Sequence, residues 1–137
     1  MKRVIFDSDV LLDVFLHRQP FFINSASALD RVGRGNVEGF VSGHAITNLF
    51  YLMRKPLGSE RSRELLSILL EKVRVASVTH EVIQIAIASP ISDFEDAVTD
   101  AAAQAASIEI IVTRNTKDFR QSIIPAMMPE DFLQISI

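Results

Sequence analysis

Apolar residues recur along this chain in two rhythms. Val4-Ile5-Phe6, Val37–Ser42, Val73–Val78 and Glu109–Val112 are short runs, rich in branched side chains and bounded by polar ones, and they predict four strands. Between them the apolar positions fall three and four apart. Val10, Leu11, Val14 and Phe15 predict a helix over Asp9–Leu16. Pro20 is placed to open the next, with Phe21, Phe22, Ala26, Leu29 and Val32 facing inward and Gly33 and Gly35 closing it. A third helix is expected over His44–Lys55, stopped at Pro56. A fourth, capped by Ser59, runs to Lys72 and carries Leu65, Leu66, Leu69 and Leu70, and a fifth covers Glu81–Ala88. Ser92-Asp93-Phe94-Glu95 has the S-x-x-E spacing of a capping box and opens a helix through the alanines from Ala97 to Ala106. The tail Leu133–Ile137 is expected to add a last strand, and Arg114–Ser122 and Pro125–Asp131 are the longest irregular stretches.

Strands therefore alternate with helices, and no tight hairpin joins two strands. That order predicts an α/β protein, a three-layer α/β/α sandwich around a mostly parallel sheet, forming one domain over residues 1–137. Such sheets bind ligands beyond the carboxyl ends of their strands, so the polar residues there come first. Asp7-Ser8-Asp9 follows the first strand. Thr113-Arg114-Asn115-Thr116-Lys117-Asp118 follows the fourth. Asp93, Glu95, Asp96 and Asp100 lie on the opening turns of the alanine-rich helix. If the first and fourth strands are neighbours, Asp7 comes within reach of Asn115 and Asp118, and Asp96 enters the same cleft.

Each of these residues alone has an ordinary explanation. Asp7, Ser8 or Asp9 can cap a helix, Ser92 and Glu95 satisfy a capping box, and Asn115 and Asp118 suit turns. Together they put several carboxylates at one sheet edge, where they must share protons or a cation. Composition narrows the cation. The chain has no Cys, and His17, His44 and His80 show no metal spacing. Oxygen ligands alone select Mg²⁺ or Mn²⁺ over Zn²⁺, and such an ion serves phosphodiester hydrolysis.

Charge and composition exclude other classes. Lys and Arg total 14 against 17 Asp and Glu, a net of −3, so nucleic acid is not coated indiscriminately. Hydrophobic residues make up 48% and charged ones 23%, which excludes a disordered chain. No apolar run approaches a membrane helix, and Met1-Lys2-Arg3 leads into a run of only three apolar residues before Asp7, too short for a signal-peptide core. A reducing, cytoplasmic setting is the expectation. There is no G-x-S-x-G and no phosphate-binding glycine loop; Gly33-Arg34-Gly35 reads as a turn. Arg54-Lys55 and Arg61-Ser62-Arg63 read as solvated helix faces. Arg114, Lys117 and Arg120 adjoin the cleft, and Arg114 and Lys117 are candidates to hold the phosphates of a substrate. The nearly all-Phe aromatics offer no stacking platform for bases.

Val4-Ile5-Phe6-Asp7-Ser8-Asp9-Val10-Leu11-Leu12-Asp13 resembles the opening strand of PIN domains, apolar-apolar-D-x-N-V-L-L-D. Asp93-Phe94-Glu95-Asp96-Ala97 looks like their central acidic motif, and Ile110 to Phe119 looks like their closing I-V-T-R-N-x-x-D-F segment. The order and spacing match over nearly the whole chain. PIN domains are Mg²⁺/Mn²⁺-dependent ribonucleases, and many short prokaryotic ones are VapC-type toxins of toxin–antitoxin pairs. The resemblance implies endonucleolytic RNA cleavage, a homodimer and a cognate antitoxin. Exposed leucines on the third and fourth helices would suit the homodimer.

By position, Asp7, Asp96 and Asp118 would be the metal-binding and catalytic carboxylates, with Thr113 and Asn115 as polar members of the site. Two departures stand out. The family usually has Asn where this chain has Asp9, an added charge expected to point outward as a helix cap. The helix after the second strand usually carries a Glu, and Asn48 stands there. The chain is most similar to a PIN subgroup with that Asn and the D-F-E-D motif, in which Asp93 or Glu95 would replace the missing charge. Two alternatives follow: a catalytically weakened PIN-fold module that binds RNA or protein, and a phosphatase of the phosphorylated-Asp class, whose D-x-D pattern Asp7-Ser8-Asp9 shares.

Overall fold

The computed structural model describes residues 1–137. Five strands, β1 (Lys2–Phe6), β2 (Val37–Ser42), β3 (Arg74–Ala76), β4 (Ile110–Val112) and β5 (Ala126–Met127), form one sheet in the order β3-β2-β1-β4-β5. Every pairing is parallel. The chain first runs outward from β1 through β2 to β3, then returns to the other side of β1 to lay down β4 and β5. The direction of winding thus reverses between β1 and β4, which is where a doubly wound sheet opens a crevice for ligands.

The strand period of two feeds a separate core on each face. Val4, Phe6, Ile110 and Val112 point into a core closed by helices α1 (Ser8–Phe15), α2 (Phe22–Asp30), α3 (Gly43–Leu57), α4 (Ser59–Lys72) and α7 (Pro129–Phe132). Ile5 and Ile111 point the other way, against α5 (His80–Ile87) and α6 (Phe94–Ala105). Ala97, Ala101, Ala102 and Ala103 of α6 are buried on that face, so small side chains bring the helix close to the strands, as their spacing predicts. No helix is long and apolar enough to cross a membrane.

Four local expectations are corrected. The last strand is Ala126–Met127, not the tail Leu133–Ile137. The tail is instead held by Arg31, whose guanidinium donates to the carbonyls of Phe132 (2.5 Å) and Ile135 (2.9 Å). Pro56 does not stop α3, which runs to Leu57 and ends at Gly58, where φ is +85°. Ser59 is the first residue of α4, not its cap, and Phe21 lies before α2, partly exposed. Gly58 supplies the left-handed turn between α3 and α4, so Gly58→Ala is expected to cost about 1 kcal/mol in urea unfolding.

Candidate active site

Asp7 stands where β1 ends and caps α1: its Oδ1 accepts from the Ser8 amide at 2.9 Å. Its Oδ2 accepts from the Thr113 hydroxyl at 2.8 Å, across the β1–β4 boundary. Asp9, two residues on, does not turn outward. Its Oδ2 accepts from the Asn115 side-chain amide (2.9 Å) and from the Arg114 backbone amide (3.2 Å). Its Oδ1 is buried without any hydrogen-bond partner. Because Asp7 already caps the helix, Asp9 is free to face the loop after β4.

The cap of α6 is also shifted from the expected position. Asp93, not Ser92, is the N-cap, and it accepts from the Asp96 amide at 3.0 Å. Glu95 does not close a capping box. It points across to α3 and accepts from the Asn48 side-chain amide at 3.0 Å. With the cap at Asp93, Asp96 is the third residue of α6, and its amide, not its carboxyl, takes part in the cap.

The carboxylates feel one another strongly. Burial, then the charges of Asp7, Asp93, Asp118 and Asp9, push Asp96 from its ordinary 3.8 up to about 7. Burial and the charge of Asp7 push Asp9 up to about 6, with the Arg114 guanidinium pulling the other way. Asp7 is raised chiefly by burial, and its bonds from Thr113 and Ser8 oppose the shift. The chain thus brings Asp7, Asp9, Asp93, Asp96 and Asp118 to one edge, with Thr113 and Asn115 bonded among them. Lys117 and Asp118 line a polar pocket of about 320 Å³ with Asp93 and Arg120. No group of three or more carboxylate or imidazole side chains is positioned to hold one ion together.

The pairing of Asp13 with Arg114 was absent from the sequence reading. Asp13 is fully buried and binds the Arg114 guanidinium through Nε (2.8 Å) and Nη2 (3.2 Å), so Arg114 does not offer a free fork to an RNA phosphate. A lone carboxylate within the apolar run Val10-Leu11-Leu12-Asp13-Val14 was the available signal, since such a group needs a partner. His44 sits half-buried beside Ser42, whose hydroxyl lies 2.8 Å from Nδ1, and burial lowers its pKa.

The raised carboxyls make a thermodynamic prediction. Between about pH 4 and 7 the folded chain keeps protons that the unfolded chain releases, so stability falls as pH rises through that window. Melting in EDTA is expected to occur several degrees lower at about pH 8 than at about pH 5. Asp9→Asn combined with Asp96→Asn should flatten the dependence. Equal melting of the wild type at both pH values would contradict the crowding of these charges.

A doubly wound parallel sheet with acidic side chains massed at its switch point, where such sheets bind ligands, defines the class of α/β protein. The chain belongs to the PIN domain family, whose model matches residues 3–117. No curated protein matches it. Solved structures match its fold. A toxin–antitoxin complex from Klebsiella pneumoniae is 23% identical, with 92% of this chain and 97% of that one covered and a TM-score of 0.71. VapBC2 from Rickettsia felis, bound to a DNA fragment from its promoter, is 14% identical over 92% and 98% of the chains, at a TM-score of 0.65. VapC20 from Mycobacterium tuberculosis, a toxin that cleaves the sarcin–ricin loop, is 16% identical over 79% and 86%, at a TM-score of 0.63.

Proposed function

We propose that this chain is a PIN-type endoribonuclease dependent on Mg²⁺ or Mn²⁺, and the cytoplasmic toxin of a toxin–antitoxin pair. The observation that carries the reading is the convergence of Asp7, Asp9, Asp96 and Asp118 on the β1–β4 switch point at a cost in protonation. The donor set fits a hard divalent ion. All of its ligands are oxygens, Asp9 carries a buried oxygen with no partner, and a cation would relieve repulsion that protons otherwise relieve. Asp7, Asp96 and Asp118 would hold the ion, after side-chain adjustment. When bound, it would supply Lewis acidity for water activation and offset charge on a scissile phosphate.

The remaining residues have work of their own. Thr113 and Asn115 fix the rotamers of Asp7 and Asp9. Asn48 provides no charge but donates to Glu95, so α6 brings to α3 the carboxylate that α3 lacks. Asp93 adds to the same negative field. Lys117, exposed beside Asp118, is a cation available to an RNA phosphate, with Arg120 in the same pocket. The Klebsiella, Rickettsia and Mycobacterium structures are of toxins or toxin–antitoxin complexes, which supports a cognate antitoxin as partner. Tyr51 and Leu52 on α3 and Ile68 and Leu70 on α4 are exposed, and suit a homodimer or an antitoxin.

The test is cleavage of structured and single-stranded RNAs with Mn²⁺ and with EDTA, together with calorimetric titration of Mn²⁺. Metal-dependent cutting supports the reading. Absence of both cutting and Mn²⁺ binding supports the second reading, a binding module without catalysis. That reading is favoured by Asn48 and by the lack of a preformed three-group cluster.

A further inference from the structure

The turn that follows β4 carries much of the site, yet it has little structure of its own. β4 is three residues long, and Thr113, Arg114 and Asn115 lie between it and a short 3-10 turn over Thr116–Phe119. Three successive residues there meet the carboxylates of β1 and α1. Thr113 donates to Asp7, while the Arg114 amide and the Asn115 side chain both donate to Asp9. The Asn115 amide closes the turn on the Thr113 hydroxyl at 3.0 Å. Such a turn needs an outside brace to keep three donors in register.

The brace is visible beneath it. Asp13 lies one turn of α1 beyond Asp9, has no exposed surface, and receives two nitrogens of Arg114. The Ser25 hydroxyl of α2 donates to the same carboxylate at 3.0 Å. The Phe21 ring covers the guanidinium, with its centroid 3.9 Å from Cζ. The Arg114 side chain is thereby fixed by an anion at one edge and an aromatic ring on its face. A planar fork can be held in that way, whereas a lysine ammonium cannot.

We propose that Asp13 and Arg114 are positioning residues for this site, holding the turn Thr113–Asn115 so that its donors meet Asp7 and Asp9. Arg114 is then a brace within the protein and not a contact to substrate. Only the kinetic arm of the test below rests on the nuclease reading.

The direct measurement is amide hydrogen exchange in Asp13→Asn, Arg114→Gln and Arg114→Lys, without metal or RNA. The amides of Arg114 and Asn115 are expected to lose protection by about tenfold or more in all three variants. Those of Asp7, bonded to Val112, and Thr113, bonded to Met127, should keep theirs. If Asp13→Asn fails to fold, the more exposed Arg114 variants carry the test. Unchanged protection at residues 114 and 115 in any folded variant overturns the proposal, and so does full restoration by Lys.

The kinetic arm separates brace from contact. A brace predicts that Asp13→Asn and Arg114→Gln lower kcat alike and leave KM and its salt dependence unchanged. A phosphate contact predicts a raised KM and a shallower salt slope for Arg114→Gln alone, which would also overturn the proposal. A wild type that neither cuts RNA nor binds Mn²⁺ fails the nuclease reading and leaves the exchange result standing.

Discussion

Asp96→Asn should abolish metal-dependent RNA cleavage and at the same time raise the melting temperature at about pH 8. The two effects share one cause. Asp96 sits in the field of four other aspartates, and its carboxyl is pushed up to about 7. Amidation removes a charge that burial and the neighbouring aspartates disfavour, so in EDTA the folded state gains. The same amidation removes a donor from the set proposed to hold the ion. Mutating groups that merely orient metal ligands already costs about 10–100-fold, so loss of a ligand should cost on the order of a hundredfold or more. Opposite movement of activity and stability marks a residue kept for function, as distinct from one kept for packing. Cleavage at the wild-type rate would remove Asp96 from the site. A fall in melting temperature would show that its carboxyl is held by favourable contacts and not crowded.

Phe119→Ala has the largest expected effect on stability. Phe119 closes the 3-10 turn that carries Asp118, and only 1% of it is exposed, in the core shared by α5, α6 and the sheet. Truncating a buried Phe costs about 3–5 kcal/mol, through lost transfer energy and the cavity left behind. That is a large part of the ~5–15 kcal/mol that holds a domain together, and it should lower melting on the order of 10–20 °C. Phe119→Leu keeps most of the apolar volume and should cost much less. Asp118 loses its anchor together with the ring, so cleavage measured well below melting should fall in the Ala variant as well. Melting within two or three degrees of wild type would mean that the turn is held by its backbone bonds alone.

The strands and most helices were legible because burial imposes a period. β2 and α4 fall where the spacing of Val, Phe and Leu places them, and the alanine face of α6 announces its close approach to the sheet. Misjudgements gathered where a single local bond decides. Ser92 and Asp93 are equally good caps by composition, and only the geometry at Asp96 selects Asp93. Pro56 tolerates the last turn of a helix whose true stop is Gly58, because a following residue with positive φ ends α3 more firmly. Two-residue β5 carries no periodic signal at all. For the site, the motifs brought Asp7, Asp96 and Asp118 toward one edge. The Asp13–Arg114 pair spans 101 positions, a distance over which no local pattern reports.

That separation also governs how the chain is made. β1 is the middle strand, and one of its two partners, β4, lies more than a hundred residues downstream. On a ribosome, the first half of the chain can assemble β1, β2 and β3 while one flank of β1 stays open. Thr113, Asn115 and Asp118 are made more than a hundred residues after Asp7, and sheets closed by such distant contacts form slowly. The proposed site is therefore completed only once β4 and the turn behind it have been made. A product stalled before β4 carries Asp7 and Asp9 without the donors that Thr113 and Asn115 bring to them.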